Sequence, residues 1–184
     1  MGEQFVKMRI FCWVSRSAQQ ILPFRLVIRG GVWYDIEYKM VEYIRNKENL
    51  VAIIVRNDYK QDGLKFFTSE TNTQQIGCVG HPKGTVCQAH IHNKIKREVF
   101  YTSETLIIKQ GKVRADIYDN EKSYLESKIL NKGDVILFID GGHGFTFLED
   151  TQMVEIKQGP YLSINDKVRF EDVKEDKVVI KNEK

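Results

Sequence analysis

Cysteine is scarce in this 184-residue chain: Cys12, Cys78 and Cys87 are the whole set, an odd number that makes no disulfide framework and suits a reducing compartment. Long apolar runs are missing as well, and nothing approaches the ~20 residues that a membrane-spanning helix needs. The mildly apolar, basic stretch from Met8 to Gly30 is broken by Ser15-Arg16-Ser17 and Gln19-Gln20, which interrupts any signal-peptide core. These absences point to a cytoplasmic protein with no membrane partner. A dominant charge is lacking too. Of 28 basic and 25 acidic residues, six basic (Lys7, Arg9, Arg16, Arg25, Arg29, Lys39) and three acidic (Glu3, Asp35, Glu37) precede Met40, which leaves 22 of each beyond it. A body so evenly balanced offers no basic stripe to a phosphate backbone, so nucleic acid is not an expected partner.

What is present is a β pattern. Residues 1–39 carry no sustained helical or strand period and contain Pro23, Gly30 and Gly31. They read as an N-terminal extension, with Met40 as an alternative start of the protein. From Leu50 onward short apolar runs follow one another at even spacing: Leu50 to Arg56, Leu64 to Thr68, Gln75 to Gly80, Thr85 to His92, an extended piece from Arg97 to Thr102, Glu104 to Lys109, Val113 to Tyr118, Ser123 to Leu130, Val135 to Ile139, His143 to Leu148 and Met153 to Lys157. Turn residues such as Gln110-Gly111 and Lys132-Gly133-Asp134 separate them. This spacing predicts an all-β sandwich or jelly roll over 40–165, followed by a charged tail over 166–184. Val135 to Ile139 is apolar on both faces, so its outer face is expected to be covered.

Three of the four histidines have a pattern. In a strand, residues two apart point to one face, so His90 and His92 would aim both imidazoles at one place. Glu104 opens the run that ends at Gly111, and His143 sits in Gly141-Gly142-His143-Gly144 after the Val135 run. Three imidazoles and a carboxylate can hold a divalent transition metal such as zinc, iron, nickel or manganese, with positions left open for a small-molecule ligand. Glu98 is the alternative carboxylate, nearer to His92 but without the strand and glycine that follow Glu104. Cys78, His81, Cys87 and His90, spaced as a small closed zinc site, are a competing set. Gln88 shares a face with the histidines, Tyr101 is a possible proton shuttle, and Phe145 alternates with His143, so these three are the candidates for substrate contact. Arg114, Asp116 and Tyr118 share one strand face, which reads as solvated.

Gly84, His90-x-His92, Glu104 and Gly111, with Gly133, Gly141 and His143 later, resemble the two motifs of the cupin superfamily. The gap from His92 to Glu104 is longer than that family's pattern, Ile139 stands where it has proline, and His143 comes one residue early. The stretch from Asp134 to Tyr161 is similar to the WbuC-type cupin-fold metalloproteins that accompany bacterial surface-polysaccharide biosynthesis. The resemblance implies a single-domain jelly-roll β-barrel, a metal held by His90, His92, Glu104 and His143, and a homodimer. It implies an isomerase- or epimerase-like enzyme acting on a sugar or nucleotide sugar. A non-heme metal dioxygenase, a ligand-binding module without turnover and a metal-free sugar epimerase are the alternatives.

Overall fold

The structure is a computed structural model that describes residues 24–28, 32–36, 40–162 and 166–181. The chain separates into two units, residues 1–39 with 183–184, and residues 40–182. In the first unit, β1 (Phe24–Ile28) and β2 (Val32–Ile36) form an antiparallel hairpin with Val27 opposite Trp33. Local strand structure is therefore present in the N-terminal extension although its sequence carries no sustained period. Both strands are runs rich in β-branched and aromatic residues, the composition that favours a pleated ladder.

The second unit is all-β apart from a 3₁₀ turn at Glu175–Lys177. Its strands are β3 (Val41–Asn46), β4 (Asn49–Val55), β5 (Gly63–Phe66), β6 (Gly77–Gly80), β7 (Glu104–Gln110), β8 (Lys112–Tyr118), β9 (Tyr124–Asn131), β10 (Val135–Phe138), β11 (Gly142–Phe147) and β12 (Gln152–Lys157). They make a five-stranded sheet ordered β12-β7-β10-β4-β3, a three-stranded sheet ordered β11-β8-β9 and the hairpin β5-β6, all antiparallel and none closed on itself. Among the described residues no helix is long and apolar enough to cross a membrane.

One core joins the two larger sheets. Ile44, Ala52, Ile54, Leu106, Ile108, Ile136 and Phe138 from the five-stranded sheet meet Val113, Ala115, Ile117 and Leu130 from the other. The alternation of these residues along each strand is what a sheet with one face on a shared interior requires. The outer face of the five-stranded sheet is covered as well, by the same chain: Ile53, Val55 and Val135 pack with Tyr59, Phe67, Ile76 and Cys78. The β5-β6 region thus fills the place that the apolar outer side of Val135 to Ile139 called for.

Two polar assemblies were not legible as such. At one end of the interior Arg56 bridges the carboxylates of Glu42 and Asp134, and Lys128 lies 2.8 Å from the other oxygen of Glu42. All four side chains are almost wholly buried. On the outer face of the three-stranded sheet, Arg114, Asp116 and Tyr118 are buried, contrary to the solvated reading. The C-terminal segment lies over them. Val173 N–H donates to the Tyr118 hydroxyl at 2.9 Å, Glu175 accepts from Arg114 at 2.7 and 2.8 Å, and Ile180 bridges in parallel to Ser127. The C-terminal segment is therefore docked on this face through Val173, Glu175 and Ile180, with Glu175 meeting the buried Arg114.

Candidate functional site

Glu104 is the first residue of β7 and shares a face with Leu106 and Ile108, both in the core. Its carboxylate consequently points into the interior. His143, on β11, stands opposite Ile117 of β8, also a core residue, so its imidazole enters the same interior from the facing sheet. His143 Nε2 and Glu104 Oε1 are 3.7 Å apart. That is long for a hydrogen bond, and the pair is an electrostatic contact between two partly buried groups.

The surroundings fix this couple. The ring of His143 stacks on Phe138 with centroids 4.1 Å apart, and Phe145, on the same face of β11, flanks it at 5.2 Å. Phe145 packs on the core, as alternation from His143 predicts, whereas Phe147 at the strand end is exposed. Lys157 of β12 is the register partner of Glu104 and is itself held by Asp166 at 2.8 Å. Its ammonium lies over the Tyr161 ring, 4.6 Å from the ring's centre. Just before Glu104, the Ser103 backbone N–H donates to Gln158 at 2.8 Å, which ties the entry of β7 to the end of β12. The His143 imidazole is the largest influence holding the Glu104 carboxyl below its ordinary value. Burial opposes that shift, while Lys157 and Lys167 add to it. Glu104 is thus kept ionised inside an otherwise aromatic wall.

The other predicted residues lie elsewhere. Thr85 to His92 forms no strand, and neither does Arg97 to Thr102; the chain from His81 to Thr102 has no regular structure and is exposed from His81 to Tyr101. The physical reason is the lack of a ladder partner. β6 ends at Gly80 paired only with β5, and both sides of β7 are taken by β10 and β12. Without a partner, alternation alone does not make a strand. His90 and His92 nevertheless stay together, their rings 5.2 Å apart and nearly perpendicular. The Nδ1–H of His90 donates to the Gln88 carbonyl at 3.0 Å, since a carbonyl can only accept. Gln88 and Tyr101 are exposed on this segment, and Glu98 pairs with Lys96 at the surface.

The structure therefore brings Glu104 and His143 together and leaves His90 and His92 on a separate, exposed segment. Among the described residues no three His, Cys, Asp or Glu side chains are grouped so as to hold a metal ion. That applies equally to Cys78, His81, Cys87 and His90; Cys78 packs beneath the outer sheet face and Cys87 is exposed, both as free thiols. The residues that the sequence did not single out are Phe138, which supplies the stacking surface, and Lys157, which supplies the neighbouring charge. Lys157 was detectable only through the β7-β12 register.

One further feature bears on the site. Among the described residues β11 is an edge strand, paired with β8 on one side only. Among the described residues, no strand pairs with the second row of backbone donors and acceptors of the strand that carries His143. Compared against protein-family models, curated proteins and solved structures, the chain matches none.

Proposed function

We propose that the 40–182 unit is a cupin-type jelly roll that binds one divalent transition metal ion through Glu104, His143, His90 and His92. On this reading it acts there as an isomerase- or epimerase-like enzyme on a small polar substrate such as a sugar or nucleotide sugar. The observation that carries the reading is the meeting of Glu104 and His143, from facing sheets, beside the free edge of β11. Two ligand atoms each about 2.1 Å from one ion stand roughly 3.0–3.6 Å apart at right to trigonal angles, so the 3.7 Å gap needs little adjustment. The chemistry of the four donors suits zinc, iron, nickel or manganese.

Half of the proposed set, Glu104 and His143, already lies within 3.7 Å of one another, which supports the reading. The other half rides on a segment whose alternation suits a strand and which lacks only an edge to pair with, and β11 has an edge to offer. Pairing Thr85 to His92 along β11 would set His90 and His92 beside His143 and close the interior from solvent. A bound ion supplies Lewis-acid polarisation of a substrate oxygen. The chain's own part is to keep Glu104 ionised through His143 and Lys157, to exclude water with Phe138 and Phe145, and to bring Gln88 and Tyr101 to the mouth with the segment. The homodimer that the resemblance implies would need another surface than the outer side of β10, which Tyr59, Phe67 and Ile76 already cover.

A second reading rests on the couple alone. Glu104 and His143 are already in contact, and an ionised carboxylate beside an imidazole is an acid–base pair that needs no metal. Trypsin separates the two readings, because Lys83, Lys94, Lys96 and Arg97 are all exposed on the segment. With zinc added, cleavage at Lys94, Lys96 and Arg97 is expected to slow strongly while cleavage in the C-terminal segment is unchanged. Equal cleavage with and without zinc, nickel, manganese or ferrous iron would leave the acid–base pair as the better account.

A further inference from the structure

Gly142 and Gly144 flank His143, and neither has the left-handed backbone that demands glycine; that conformation belongs to Gly141 alone in this stretch, with φ +72°. Both lie on the outward side of β11, opposite Tyr118 and Asp116 of β8, while the imidazole lies inward. A Cβ on Gly142 would stand 2.9 Å from the Phe170 ring, and one on Gly144 would stand 3.3 Å from Asp172 Oδ1. What the missing side chains admit is the C-terminal segment. Phe170 meets Tyr118 edge to face at 5.0 Å, Val173 is hydrogen-bonded to the same tyrosine, and Glu175 grips Arg114. Arg114 in turn is fixed by two bonds to Asp116, at 2.9 and 3.1 Å, and Ser127 donates to Asp116 from β9.

We infer that the segment from Phe170 to Glu175 is a positioning clamp for His143. Among the described residues β11 has a ladder on one side only, so that ladder alone leaves it free to tilt about β8. Phe170 and Asp172, pressed onto the bare backbone at Gly142 and Gly144, remove that freedom. They set the depth at which the imidazole lies against Phe138 and faces Glu104. The bidentate contact of the exposed Glu175 carboxylate with the buried Arg114 guanidinium holds the far end of the clamp on the sheet. The inference rests on the proposed function only in the use it gives to the Glu104–His143 couple; the contact it describes requires no metal.

The test is proton NMR of the metal-free full chain, with the His143 ring signals assigned by comparison with His143→Asn. A ring stacked 4.1 Å from Phe138 has its protons displaced upfield. In Phe170→Ala this displacement is expected to diminish, and in Phe170→Leu, which refills the space, to return. Phe67→Leu, at the outer core cluster on the opposite sheet, serves as the control: it lowers the unfolding temperature yet leaves the His143 signals where they are. Should Phe170→Ala not fold, Glu175→Gln loosens the far end of the clamp and is expected to move the same signals in the same direction. Unchanged His143 signals in folded Phe170→Ala, or in Glu175→Gln if that variant alone folds, would overturn the inference, as would an equal change in Phe67→Leu. Zinc affinity in Phe170→Ala is expected to fall about 10- to 100-fold, as for other groups that orient a metal-binding histidine. Failure of the metal reading leaves the NMR result standing, and failure of the clamp leaves wild-type zinc binding standing.

Discussion

Removing the Glu42 carboxylate would strand two cations in the interior, since Arg56 and Lys128 are 5% and 3% exposed and both lean on it. Among the described residues Arg56 keeps Asp134 and the Ile129 carbonyl, and Lys128 keeps Glu126, at 3.1 Å. Breaking one partner out of a buried ion cluster costs about 3–5 kcal/mol, so Glu42→Ala is expected to lose that much in urea unfolding; a loss within the scatter of surface substitutions would show that water reaches the cluster. The same residue explains why β3 escaped the sequence pattern. Its inward positions are Glu42 and Ile44, and an acid where a core residue is expected breaks the apolar alternation. Its neutralising partners come from Arg56 and Lys128, which no local window contains. Glu104 carries a second residue-scale prediction. A carboxyl held below its ordinary value in the folded state adds stability that is complete above its unfolded value and is lost as pH falls through the folded one. Between pH 7 and pH 3 the urea midpoint of the wild type should therefore fall more than that of Glu104→Gln, and parallel curves would show that His143 and Lys157 do not act on Glu104.

At the scale of the element, strands were legible wherever apolar alternation and a turn signal coincided. The β7-β8 hairpin, with Gly111 at φ +79° between two strands of seven residues, is the clearest case. The hairpin β1-β2 was equally written, in Phe24 to Ile28 and Val32 to Ile36, and the surrounding polar residues hid it. Thr85 to His92 fails in the opposite way. Its alternation is sound, but a strand needs a neighbour, and the pairing of β7 with β10 and β12 is information that no segment of sequence holds by itself. The docking of residues 170–181 was illegible for a related reason: Glu175 looks like a solvated acid until Arg114 is known to lie beneath it. The inward placement of Glu104, His143 and Phe145 could be read from alternation, while the neighbourhood of Phe138 and Lys157 depended on pairing between strands.

For the whole molecule, the sandwich has a distinct polar group at each end of one apolar interior. Val135, next to the Arg56–Asp134 pair, and Phe138, next to His143, are the two ends of β10. At about 3.4 Å per residue those ends are roughly 10 Å apart. The Arg56, Glu42, Asp134 and Lys128 side chains are almost wholly buried, whereas Glu104 and His143 are 15% and 24% exposed, and on the proposed reading theirs is the functional end. Calorimetric titration of zinc into the full chain, His143→Ala and the His90→Ala/His92→Ala double variant tests this most directly. One ion bound by the wild type, with binding lost or severely weakened in both variants, is the predicted result; binding that persists undiminished in His143→Ala, or no uptake by the wild type, would contradict it.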